Sequence, residues 1–144
     1  MTREEIKNLI PHREPMLLVD EAEKVGDTVF SKYTIREDEF FTQGHFPGYP
    51  VVPGVVLCEI MAQGSALLVP EKILTNGLSF YAGLDNIKFK HSVFPGDTVC
   101  VESTLVAQRG PLIIVDAKAT VEDKLCCKGK LSFMVVPKTD FENK

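Results

Sequence analysis

The chain has 144 residues, 44% of them hydrophobic and 25% charged, which is about one domain's worth with enough apolar material to bury a core. Sixteen Lys and Arg against twenty Asp and Glu give a net charge of −4. That balance argues against a nucleic-acid partner, since such binders normally carry a basic excess. Cys58, Cys100 and the adjacent Cys126 and Cys127 show no CxxC spacing. They read as reduced thiols of a cytoplasmic protein, with the adjacent pair pointing to opposite faces of a strand.

The first ten residues, MTREEIKNLI, are charged and lack the apolar core of a signal peptide. Thr2 followed by Glu5 predicts a helix start, with Ile6, Leu9 and Ile10 as its apolar face and Pro11 as its end. From Met16 to Ile35 two strand-like segments flank the Gly26-Asp27 turn, and Val29, Tyr33 and Ile35 are of the types strands prefer. The run from Pro53 to Val69 predicts a long apolar helix. Glu59, Gln63 and Ser65 make it a poor membrane span, so no membrane partner is expected.

Ser79 to Lys90 is an irregular strand pattern. Val99, Val101 and Leu105 form a strand after the Pro95-Gly96-Asp97 turn. Val115, Ala117, Ala119 and Val121 alternate with polar residues, Glu122-Asp123-Lys124 turns the chain, and Cys127, Leu131, Phe133 and Val135 continue the alternation. No repeat or linker intervenes, so residues 1–144 read as one domain of about six strands joined by short turns, hence largely antiparallel. A helix apolar nearly all round needs cover on most sides. A curved sheet wrapped around it supplies that cover and leaves a remaining face or sheet edge for a partner subunit.

Between Phe40 and Pro70 the only formal charge is Glu59 and the only histidine is His45. A lone Glu in an apolar helix is by default a solvent-facing residue. The loop before it shifts that reading, because six of the eleven residues from Gly44 to Gly54 are Gly or Pro. So restricted a backbone can hold His45 in a fixed place. Pro53 suits the start of a helix, and the Gly54 N–H is one of the free donors at a helix N-terminus, where negative charge is favoured. An imidazole titrating near neutrality suits a base, and a carboxyl raised by apolar burial suits an acid. Gln63, one helical turn beyond Glu59, is placed to hydrogen-bond it. The set fits proton abstraction beside a carbonyl, departure of a hydroxyl and oxyanion stabilisation.

The runs Ile10-Pro11-His12-Arg13-Glu14-Pro15-Met16-Leu17-Leu18-Val19-Asp20 and Gly44-His45-Phe46-Pro47-Gly48…Pro53-Gly54-Val55…Glu59…Ala62-Gln63 resemble the FabZ-type 3-hydroxyacyl-[acyl-carrier-protein] dehydratases of fatty-acid synthesis. Tyr81-Ala82-Gly83…Asp85-Asn86…Lys88-Phe89-Lys90 through Pro95-Gly96-Asp97 is also similar to that family. The resemblance implies an α+β hotdog fold, an antiparallel sheet of about six strands wrapped around a long central helix. It implies a homodimer, with three dimers forming a hexamer, and an acyl-carrier-protein partner. His45 would be the base and Glu59 the acid, facing each other across a subunit boundary. Gly54 would polarise the thioester carbonyl, Gln63 would orient Glu59, and Val55, Phe46 and Tyr81 would complete the substrate contacts. No cofactor and no metal are implied.

This chain has one more residue before its histidine, in Phe40-Phe41-Thr42-Gln43-Gly44-His45, than the commoner family form. Ser79 and Phe80 stand where the family often carries a tunnel-gating tyrosine. His12, in a Pro-flanked segment beside Arg13, reads as a loop or interface residue, His91 as a strand end, and Cys58 as a core thiol. A hotdog thioesterase and a non-catalytic acyl-binding module are the competing functions. The charge divides as −5 over residues 1–75 and +1 over 76–144, so an acidic carrier would need a local basic patch, for which Lys88, Lys90 and Arg109 are candidates.

Overall fold

A computed structural model describes residues 1–142; Asn143 and Lys144, which the single-domain reading includes, lie outside the described residues. Thr2 caps helix α1 (Arg3–Ile6), its hydroxyl accepting the Glu5 N–H at 3.2 Å. The helix is shorter than the apolar pattern suggested. Leu9 and Ile10 follow it in turns, yet both are buried with Ile6, Leu17, Val19, Ala22 and Leu74 in a small secondary cluster.

Strands β1 (Glu21–Val25) and β2 (Thr28–Thr34) form the expected hairpin, with Gly26 at φ +61° in the turn. The strand pattern read from Met16 begins only at Glu21. Leu17, Leu18 and Val19 are all buried, so this stretch does not alternate between faces and is no strand. Its backbone groups are met by side chains instead. Arg3 donates to the carbonyls of Leu17 (3.1 Å) and Val19 (3.0 Å), and Gln63 bonds Met16 and Leu18 from the other side.

Helix α2 (Phe40–Gln43) precedes the Gly/Pro loop, and α3 (Gly54–Gly64) follows it. Pro53 is the residue before the first turn rather than within it. The apolar run expected to be helical to Val69 breaks at Ser65. The Ser65 hydroxyl donates to the Met61 carbonyl at 2.7 Å, and a 3-10 turn (Ala66–Leu68) and α4 (Glu71–Asn76) follow.

The remaining strands are β3 (Gly77–Phe89), β4 (Thr98–Arg109), β5 (Leu112–Val121) and β6 (Lys124–Pro137). One six-stranded sheet results, in the order β1-β2-β4-β5-β6-β3, antiparallel throughout. Tight turns drive the hairpins: Gly110 at φ +61° links β4 to β5, and Glu122 and Asp123, both at positive φ, link β5 to β6.

The inner face of the sheet presents Val29 and Tyr33 of β2, Val99 and Val101 of β4, Ile113, Val115, Ala117 and Ala119 of β5, and Leu131 and Phe133 of β6, all buried. Helix α3 lies on this face, in contact with β2, β4, β5 and β6. The approach is so close at Gly64 that a Cβ there would overlap the Ser31 hydroxyl. Two sequence expectations fail locally. Leu105 is exposed although it still pairs in register with the buried Val115; β4 changes register just beyond it, before Ala107. Cys126 and Cys127 are both buried, because the β5–β6 ladder skips a residue between Ala119 and Thr120 and turns Cys126 inward as well.

Strand β3 is an edge. It pairs with β6 alone, and its ladder is interrupted between Tyr81 and Gly83 and again between Asp85 and Lys88, where Asn86 has φ +53°. Phe80, Tyr81, Leu84 and Phe89 along it are exposed. Among the described residues no helix is long and apolar enough to cross a membrane.

Candidate active site

Leu57, Cys58, Ile60, Met61 and Gly64 bury one side of α3 in the sheet, while Val55, Glu59 and Ala62, at helical spacing, follow the opposite side. Cys58 therefore turns into the core beside Cys127, as a structural thiol, while its neighbour Glu59 turns away from it. The Glu59 side chain is 22% exposed and borders a cavity of about 220 Å³. His12, Gln63, Tyr81, Phe80 and Phe133 are among the other lining residues.

Gln63 fixes the carboxyl. Its Oε1 accepts the Leu18 N–H at 2.7 Å, so its amide nitrogen must face the other way. That nitrogen donates to the Met16 carbonyl at 2.8 Å and to Glu59 Oε2 at 2.7 Å. Sequence spacing predicted the contact between Gln63 and Glu59. The clamp on Met16 and Leu18 that makes it rigid was not visible there.

His12 was also missed as a site residue. Its Nε2 lies 3.6 Å from Glu59 Oε2, so the loop that carries it forms a wall of the same cavity. Burial holds its pKa below the usual histidine value, Glu59 opposes that, and Arg13 adds to it. The only local signal was the Pro-flanked segment, which restrains the backbone without saying what it faces. Tyr81 is 42% exposed, but its phenol end turns into the cavity, where burial and the Glu59 carboxylate push its pKa up.

His45 stands in the loop between α2 and α3, exposed, with its ring stacked on Phe46 at 4.2 Å. Its Nδ1 is 3.0 Å from the Val51 carbonyl, an acceptor, so Nδ1 donates there and the lone pair of the neutral ring lies on Nε2. His45 does not line the cavity that holds Glu59. Within one chain the two principal candidates are thus held in separate settings. Gly54 opens α3 beside this loop. The Phe89 ring fills the space where a Cβ would sit, 2.8 Å from its ideal position, so only glycine lets the edge strand close on the helix N-terminus. Val55 is exposed next to it.

The proposed basic patch does not gather as expected. Lys88 faces Lys128 across β3–β6, and Lys128 faces Lys118 across β5–β6, so these three form a row on the outer face of the sheet. Lys118 is paired with Glu102 at 2.8 Å. Arg109 lies at the far end of the β4–β5 hairpin, about 20 Å along the strands from that row. A shallow groove of about 480 Å³ on this outer face mixes Glu102 and Asp116 with Lys118, Lys128 and Lys130. Among the described residues no group of three or more His, Cys, Asp or Glu is placed to hold a metal ion.

Residues 10–130 match the model of the FabA-like domain. The chain is 47% identical over 133 residues to 3-hydroxyacyl-[acyl-carrier-protein] dehydratase FabZ of Lactococcus lactis subsp. cremoris, covering 90% of this chain and 91% of that protein. It is 45% identical over 134 residues to the Streptococcus pneumoniae protein of the same name, covering 92% and 96%. In solved structures, it resembles the dehydratase heterocomplex ApeI:P from Xenorhabdus doucetiae with a TM-score of 0.78 at 18% identity over 96% of this chain and 95% of that one. It also resembles the fluoroacetyl-CoA-specific thioesterase FlK with a TM-score of 0.68 at 14% identity, over 86% and 96%. These structural likenesses show the fold alone, which is the hotdog fold of α+β class.

Proposed function

The chain belongs to the FabA-like family and, within it, to the FabZ 3-hydroxyacyl-[acyl-carrier-protein] dehydratases; from that premise we propose how its residues convert a (3R)-3-hydroxyacyl thioester of acyl carrier protein to the trans-2-enoyl thioester in fatty-acid synthesis. His45 Nε2 removes the proton from Cα, and Glu59 gives its proton to the departing β-hydroxyl, which leaves as water. The N–H groups of Gly54 and its neighbours at the start of α3 stabilise the negative charge that builds on the thioester oxygen. Val55, Phe46 and Tyr81 contact the substrate, and Gln63 keeps the Glu59 carboxyl in place. The reaction needs no cofactor and no metal.

The observation that carries this reading is the division of the two groups. Glu59 is clamped inside a cavity, whereas His45 offers a free Nε2 on an exposed flank. A second copy of the chain, paired along the β3 edge, would bring His45 of one subunit to Glu59 of the other. The exposed Phe46, Val55, Leu84 and Phe89 on that flank support such a pairing. The working form is a cytoplasmic homodimer, assembled three at a time into a hexamer, each chain one hotdog domain with acyl carrier protein as its partner and neither nucleic acid nor membrane.

The test is to incubate the protein with a 3-hydroxyacyl-[acyl-carrier-protein] and follow enoyl absorbance together with free thiol. Enoyl product without thiol is expected. Thiol release without enoyl product would make the protein a thioesterase, and binding without either would make it an acyl-binding module.

A further inference from the structure

His12 takes no part in the proton transfers above, yet its ring is aimed at the acid. Its Nε2 lies 3.6 Å from Glu59 Oε2, the oxygen that already accepts the Gln63 amide at 2.7 Å. Its other nitrogen, Nδ1, is buried without a hydrogen-bond partner. A neutral imidazole carries one N–H. Placed on Nδ1, that hydrogen would be a buried donor with nothing to receive it. Placed on Nε2, it points at a carboxylate and leaves only a bare lone pair unmet, which is the cheaper arrangement. The charged groups acting on the ring are Glu59 from α3 and Arg13 beside it in the chain, and Tyr81 from β3, which itself interacts with Glu59, lines the same cavity.

Two donors therefore converge on Oε2. An acid proton on that oxygen would collide with both, so the proton of the Glu59 carboxylic acid is confined to Oε1. We propose that His12 is a positioning residue that acts with Gln63 to assign the transferable proton of Glu59 to Oε1 and to keep that oxygen directed at the substrate. At 3.6 Å the His12 contact lies just beyond hydrogen-bond range, so it supplements the 2.7 Å Gln63 bond on Oε2 and does not replace it. This inference rests on the reading of Glu59 as the general acid.

The experiment measures kcat and KM between pH 5.5 and 9 (settings chosen around the ordinary histidine range of about 6.5) for the wild type, His12→Phe, His12→Gln, Glu59→Gln and the double variant His12→Phe/Glu59→Gln. His12→Phe is expected to lower kcat by roughly tenfold or more with KM within about twofold, the mark of an interaction used in the transition state. His12→Gln, which retains an N–H donor, should recover most of that loss. The double variant should be no slower than Glu59→Gln alone, because His12 acts through Glu59. An unchanged kcat for His12→Phe beside an inactive Glu59→Gln overturns the proposal, as does the same loss from His12→Phe with or without Glu59. A fully active Glu59→Gln overturns the acid assignment itself and the role of His12 with it. Nitrogen-15 NMR of the wild-type ring is independent of folding defects in variants. A neutral Nε2–H ring at about pH 7 supports the proposal, and an Nδ1–H or doubly protonated ring overturns it.

Discussion

The two flanks of helix α3 are built to opposite ends. On the sheet side Ile60 is 1% exposed and packs in the main apolar cluster, to which the sheet contributes Val29, Val99, Val101, Val115 and Leu131. On the other side Val55, in the same helix, is 73% exposed, and Phe89 on the neighbouring edge strand is 54% exposed. The covered flank has what a stable core requires. The bare flank sets large apolar side chains beside the unpaired backbone of β3, a combination that free monomers avoid. It also carries His45 and the N-terminus of α3, so the least self-sufficient surface of the chain is the one that holds the proposed base and oxyanion donors.

The largest test of that contrast is catalytic. His45→Ala and Glu59→Gln should each lower kcat by about a thousandfold or more, close to 4 kcal/mol, with melting temperature preserved. Co-refolding the two inactive variants should restore about a quarter of wild-type activity, because half of randomly paired dimers are mixed and each mixed dimer has one intact shared site. No recovery would place each complete site within a single chain.

The next test compares the flanks directly. Ile60→Ala should cost about 2–5 kcal/mol in chemical denaturation. Val55→Ala should cost far less at concentrations low enough to separate subunits, and a cost equal to that of Ile60→Ala there would show that the bare flank is covered within the monomer. Smaller still, Leu84→Lys on the β3 edge should weaken self-association by about tenfold, roughly 1.4 kcal/mol, as read by sedimentation. An unchanged sedimentation profile would move the interface elsewhere. The smallest effect concerns His12, whose pKa is lowered by burial. As pH falls below about 6.5 the unfolded chain takes up the proton before the folded one does, so stability is full above that value and declines below it. Urea midpoints at about pH 7.5 and 5.5 should differ less in His12→Gln than in the wild type.

Much of the covered flank could be read from the amino-acid order, because the strands there obey a local rule. Val115, Ala117 and Ala119 alternate with polar neighbours, and the structure buries all three. The rule fails where one residue is skipped, as at Cys126, or where a segment is held by side chains instead of a ladder, as from Met16 to Asp20. The site was half legible for a similar reason. Glu59 and Gln63 are one helical turn apart, so their contact follows from spacing, and His45 is marked by its rigid loop. His12 reaches Glu59 only because Gln63 draws the segment after it against α3. Nothing within reach of either residue along the chain announces that.

The two interruptions in β3 leave its free side with an uneven row of hydrogen-bonding groups. A passing extended peptide with regular spacing cannot zip along that row, so indiscriminate growth of the sheet into a filament is discouraged at its most vulnerable border. A strand with the same interruptions, turned through a twofold rotation, meets each break with a break. In the proposed dimer the kinked edge then works as a keyed joint, selective for its own kind and closed after one addition.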